Sequence, residues 1–443
     1  MKVLLVGLES PAWRIGGLNR YLAELAAALD ANGVGVTCTM VATNDEASLV
    51  AVDPTVGWLR RLHQFSRAIR RSDADVIDVH FAAHASWALA SGALRRRRLV
   101  VHFQGPWALE SRTSGDGSLA VRAKSVLEAF VLRRADAVVT LSSAFRDVAI
   151  ERYGVSPERI QVIAPGASSP QDVDRDQVRA DLGLRGDQRA IVAVRRLVAR
   201  MGLDRAITAF AEARGDNELL FIIGEGPLKS ELQSLAQRLG VSGAVHFLGS
   251  VDDDALQRWF LAADVSIVPS VAHEGFGLVV LESLAQGTPV IASELEGLRD
   301  AARVSRAVKL IDWSPAALRR AIDELTSDGS MREVARVGGS ARSWQLVARE
   351  HVDLYHRVVE GLVPRSVVVL DHTARHSGGE LAYPCGYKVP IDTIGRMPIV
   401  LSMAIATPMK QAAKVSHAYP SLTFSRRWTG RESNSHTLAG TRS

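Results

Sequence analysis

The sequence predicts an α/β protein built from two doubly wound parallel sheets, and three observations carry that prediction. Short apolar runs rich in Val, Ile and Leu alternate with helical patterns, the signature of parallel βαβ units. The alternation occurs as two series, separated by Pro165-Gly166 and a polar stretch over residues 168–177. The chain has 443 residues, 47% of them hydrophobic, enough to bury a core in each of two domains.

In chain order, the first series predicts strands at residues 3–7, 34–41, 76–81, 99–103 and 137–141, with helices at 18–29 and 119–133 among the connections. These strands are apolar throughout rather than alternating, as expected when helices cover both faces of a sheet. A short run at 160–163 precedes the linker. The second series predicts strands at 191–197, 219–223, 245–248, 265–268, 289–292 and 308–311. The reading therefore places one domain at 1–168, a second at 169–342 and a final helical segment at 343–362. Residues 363–443 read differently. Residues 365–382 echo the amino terminus, with a strand, a loop and Gly378-Gly379 at a helix start, like the truncated beginning of a second copy. Beyond 382 no periodicity persists, and the tail is expected to be poorly ordered.

The net charge of +5 is compatible with anionic substrates, an anionic membrane surface or nucleic acid and singles out none. Cys38 and Cys385 are far apart and lack metal-ligand spacing, so a reducing cytoplasm fits. The first apolar run is too short for a signal peptide, and no later run is long enough to span a bilayer. In 58–71, Leu62, Phe65 and Ile69 share a helical face among arginines; with Arg95, Arg96, Arg97 and Arg98 this suggests peripheral contact with an anionic membrane. The alternative is a surface helix whose apolar face packs on the sheet. Nucleic-acid binding is not expected, for want of an aromatic platform or a recognised motif.

The densest chemical signal is Glu274-Gly275-Phe276-Gly277-Leu278, followed by Glu282. It lies between a predicted strand and a helix, where free backbone amides and the helix dipole can hold a diphosphate and glycines permit close approach. A carboxylate nearby can accept hydrogen bonds from sugar or ribose hydroxyls.

This block resembles the Glu-x7-Glu signature of retaining glycosyltransferases with two Rossmann-like domains facing across a cleft, the GT-B fold of the family 4 type, and the resemblance covers about residues 1–360. It implies transfer of a sugar, with retained configuration, from a nucleotide-sugar donor, a UDP- or GDP-sugar, to a glycan, lipid or small-molecule acceptor. Glu274 would contact the donor sugar and Glu282 the ribose. Gly16 and Gly17 match the pair that brings backbone amides to the donor phosphate, and Gly224 and Gly226 match a Gly-x-Gly-Pro turn near the nucleotide. His102 falls where the family carries a histidine facing the donor sugar; His80 and His84 are weaker candidates. The segment from Arg195 to Gly202 is similar to the family's Gly-Arg-Leu-x-x-x-Lys-Gly, with Arg196 at the phosphate-binding arginine and Met201 at the lysine. Arg200, next to Met201, is the expected substitute for that charge. A homologue with weakened catalysis, binding sugar nucleotides for a partner enzyme, is the alternative that Met201 and the tail keep open. A nucleotide-sugar epimerase is disfavoured by the Glu-x7-Glu block. No Asp-x-Asp motif stands where a metal-dependent transferase would need one, and Asp252, Asp253 and Asp254 open a helix, so no metal and no cofactor beyond the substrate are expected. The final helix matches the family's closing helix, which packs towards the first domain.

Overall fold

The computed structural model describes residues 1–10, 16–43, 48–113, 116–168, 170, 172–272, 274–327, 329–363, 380–382 and 388–390. The expected second-copy pattern at 365–382 and the remaining tail fall almost wholly outside them. Both main sheets belong to one compact unit.

The first sheet contains β1 (Lys2–Glu9), β2 (Gly35–Val41), β3 (Leu49–Val52), β4 (Val76–Val79), β5 (Arg98–Phe103), β6 (Ala137–Thr140) and β7 (Ile160–Val162). Its order is β3-β2-β1-β4-β5-β6-β7, all parallel. The second contains β8 (Arg189–Val194), β9 (Glu218–Ile223), β10 (Val245–Gly249), β11 (Val265–Val268), β12 (Val290–Ser293) and β13 (Val308–Ile311). Its order is β10-β9-β8-β11-β12-β13, also parallel. Each order reverses at one place, between β1 and β4 and between β8 and β11. Such switch points open a crevice at the carboxyl ends of the strands, the place where α/β sheets bind ligands.

The helices of the first sheet are α1 (Gly17–Ala31), α2 (Trp58–Arg71), α3 (Ala82–Ala90), α4 (Trp107–Thr113), α5 (Ser118–Arg134) and α6 (Ser143–Glu151). Those of the second are α7 (Arg175–Asp181), α8 (Leu203–Ala213), α9 (Lys229–Arg238), α10 (Asp253–Ala262), α11 (Leu278–Ala285), α12 (Glu296–Ala302), α13 (Pro315–Thr326) and α14 (Ser330–Ser340). The last helix, α15 (Trp344–Val359), packs on α1 of the first sheet, where Trp344 meets Tyr21 edge to face. Its start is fixed by the Ser343 side chain, which accepts from the Leu346 amide.

Leu62, Phe65 and Ile69 of α2 are buried, the last two in the core of the first sheet, so the apolar face proposed for a bilayer is already covered by the protein itself. Arg60, Arg67 and Arg70 remain exposed, whereas Arg61 and Arg97 donate to backbone carbonyls of neighbouring loops. Among the described residues, no helix is long and apolar enough to cross a membrane.

Candidate active site

The two switch points meet. The start of α1 and the start of α11 oppose one another so closely that a Cβ on Gly17 would lie 3.6 Å from Leu278 Cδ1. Beside them, a Cβ on Gly275 would lie 2.8 Å from the Phe145 ring and 3.4 Å from the Gln104 carbonyl, both from the first sheet. A side chain at 275 would therefore displace the Phe145 ring. Gly277, the residue capping α11, has φ +81, a left-handed conformation that favours glycine, and Phe276 between them is buried. The first amides of α11 have no partner within the helix and, with its dipole, offer an anion site at this junction.

The two acids of the block lie on either side of it. Glu274 Oε2 accepts from Ser270 Oγ at 2.8 Å and forms an ion pair with Arg195 Nη1 at 3.2 Å. Glu282, on the second turn of α11, accepts from Arg20 Nη1 at 2.7 Å, and the same guanidinium reaches Asp253 at the start of α10. Arg20 therefore ties the first helix of the chain to two helices of the second sheet. A second tie is Asp300 of α12, which accepts from both the amide and the hydroxyl of Ser143 at 2.7 Å.

The segment after β8 follows from two close approaches and one left-handed glycine. Gly224, at φ +137, would place a Cβ 2.0 Å from the Arg195 carbonyl, and Gly226 would place one 2.3 Å from that of Leu197. These glycines seat the 224–228 turn directly on the arginine segment. Gly202, at φ +65, ends a single 3-10 turn (Ala199–Met201). Arg196 is exposed, Arg200 Nη2 lies 3.7 Å from Glu110 Oε1 of α4, and Met201 is buried with its sulfur 4.0 Å from Ser270 Oγ. Arg195 is buried; burial pushes its guanidinium below the usual value, Glu274 opposes that and Arg200 adds to it.

His102 is a buried residue of β5. Its side chain is wholly buried, with Nε2 3.2 Å from Asp78 Oδ2 and its ring stacked on His80 at 3.9 Å. Burial pushes it down to about 3, so the ring is neutral and serves the interior of the first sheet. Gln104, two residues on at the end of β5, covers both rings, its amide 3.2 Å from His80 Nδ1 and 3.5 Å from His102 Nδ1. His84 is buried too, stacked on Phe65 at 4.0 Å. Asp78, His80 and His102 bring three potential metal-donor atoms within 4.8 Å, a set with no Asp-x-Asp pattern. The two imidazoles stack nearly parallel, at 19°, which does not converge their lone pairs on a tetrahedral ion.

The structure thus gathers Gly16, Gly17, Gly275, Phe276, Gly277, Leu278, Glu274 and Glu282 at one junction, seats Gly224 and Gly226 on the arginine segment and buries His102 beside Asp78. Sequence reasoning passed over Arg195, Ser270 and Arg20. The first stood where the motif has glycine, the second lies two residues past the strand before the signature, and the third lies three residues after Gly17.

Residues 15–169 match the family model for Glycosyltransferase Family 4, and residues 174–342 match that for Glycosyl transferases group 1. A D-inositol 3-phosphate glycosyltransferase of Acidothermus cellulolyticus is 32% identical over 362 residues, 72% of this chain and 80% of that protein. Sucrose-phosphate synthase from Thermosynechococcus elongatus shares the fold, with a TM-score of 0.67 at 22% identity, covering 82% of this chain and all of that one. So does the Anabaena protein HepE, solved with UDP-glucose, at a TM-score of 0.64 and 19% identity over 80% of this chain and 99% of that one. The chain belongs to the GT-B glycosyltransferases and is itself a glycosyltransferase.

Proposed function

We propose that the protein transfers a sugar, with retention of anomeric configuration and without a metal, from a UDP- or GDP-sugar to a glycan, lipid or small-molecule acceptor. The observation that carries this reading is the placement of Glu274 and Glu282 on either side of the α11 start, opposite Gly16 and Gly17. The donor diphosphate fits the two helix starts. Glu282 is suited to accept from the ribose hydroxyls, displacing Arg20, and Glu274 to meet the positive charge that develops at the anomeric carbon. The bond from that carbon to the diphosphate breaks, its electron pair staying on the phosphate oxygen; the acceptor oxygen forms the new bond on the same face, and its proton passes to the departing phosphate. Arg196 and Arg200, on the arginine segment after β8, would meet the leaving group, as the resemblance implies. The UDP-glucose complex of the HepE structure supports a uridine donor, and the inositol 3-phosphate relative supports a phosphorylated polyol among the candidate acceptors.

Glu274→Gln removes charge with little change of shape and should abolish turnover while sparing donor binding; Glu282→Ala should raise the donor KM through lost ribose contacts. Near wild-type kinetics in both would refute the assignment.

A further inference from the structure

Two departures from the family segment converge on one carboxylate. Where the segment has glycine this chain has Arg195, and where it has lysine this chain has Met201. Arg195 Nη1 is 3.2 Å from Glu274 Oε2, Ser270 Oγ is 2.8 Å from the same oxygen, and the Met201 sulfur is 4.0 Å from Ser270 Oγ. A lysine at 201 would start from the packed position of Met201 and reach the Ser270–Glu274 pair that Arg195 already engages. Arg200 contacts a different acid, Glu110.

We infer that Arg195 carries the positive charge that the segment has lost at position 201, and that its free guanidinium nitrogens bind the diphosphate of a nucleoside diphosphate. The inference rests on the donor reading given above. Arg195 Nε and Nη2 are buried without a hydrogen-bond partner, while Nη1 is held by Glu274. A buried guanidinium with two unmade bonds is costly unless an acceptor arrives, and two phosphate oxygens match its planar fork. As the glycosidic bond breaks, the electron pair left on the phosphate is met by a cation held against Glu274. The exchange is compensated: the charge moved along the chain and stayed in the site.

The test is a swap read by calorimetry with UDP, GDP, UMP and GMP on full-length protein, with melting temperature recorded for every variant. Arg195→Gly should weaken binding of the preferred diphosphate by about 10-fold or more while leaving its monophosphate within a few-fold. Arg195→Gly with Met201→Lys should recover most of that loss, and Arg195→Lys, which keeps the charge, should lose less than Arg195→Met. Once a donor is identified, kcat should fall ~100-fold in Arg195→Met and recover in the swapped double variant. A folded Arg195→Gly or Arg195→Met protein with unchanged diphosphate affinity would overturn the inference. So would a loss that neither Met201→Lys nor Arg195→Lys relieves, since that marks a packing role. Wild-type protein that binds no nucleoside diphosphate would instead overturn the donor reading itself, and this inference with it.

Discussion

Replacing Gly297 by alanine should cripple the site without touching any group that performs chemistry. Gly297 is the second residue of α12, and a Cβ built on it lies 2.0 Å from the Glu274 carbonyl oxygen and 2.9 Å from that of Gly275. Carbon and oxygen do not approach closer than 3.0 Å, and the obstacle is backbone, so the loop carrying Glu274 must move by about 1 Å. Misplacement on that scale can lower turnover ~100-fold, whereas overpacking one methyl should cost only about 1–3 kcal/mol of stability. The assay is release of nucleoside diphosphate from the donor, with thermal unfolding alongside. Gly243→Ala is the control, because nothing lies within 4 Å of its added carbon. A folded Gly297→Ala enzyme working at the wild-type rate would refute the claim that the Glu274 backbone position matters.

The Arg20 tie and the buried histidines give two further expectations. Arg20→Ala leaves Glu282, 12% exposed, without its cation and should cost about 1–3 kcal/mol in denaturant unfolding; Asp253→Asn removes the exposed partner and should cost far less. Equal costs would show that Glu282 is not the anchoring acid. Burial pushes His84 down to about 3, so the native ring is neutral and the unfolded chain takes the proton first. Stability should therefore fall as pH drops from about 6.5 towards 3, and the wild type should lose ~2 kcal/mol relative to His84→Phe between pH 7 and pH 5 in urea unfolding. An unchanged difference would contradict the neutral buried state.

Most of the sheet was legible because its strands are short, apolar and bounded by turns, and a strand such as Val265–Val268 reads the same in sequence and structure. Strand β3, Leu49–Val52, was missed: four residues paired only to β2 at the sheet edge carry too little pattern. The signature around Glu274 was legible because glycines at a strand-to-helix junction have few other uses. Its supporting partners were not. Arg195 and Ser270 are distant in sequence and meet because β8 and β11 are neighbours at the switch point, and Gly297 matters only because α12 packs on the Glu274 loop. For His102 the sequence left the direction of the side chain open. Its place near a strand end suggested the crevice, but in a sheet covered on both faces side chains of adjacent residues point opposite ways, and the ring turned inward to Asp78.

The most direct test of the central claim is turnover of purified protein with a panel of UDP- and GDP-sugars, following the anomeric configuration of the product by proton NMR in the presence of a chelator. The account predicts one donor turned over, with the sugar keeping its anomeric configuration, at a rate the chelator does not change, and with turnover abolished in Glu274→Gln. An inverted product, or a product formed undiminished by Glu274→Gln, would contradict it.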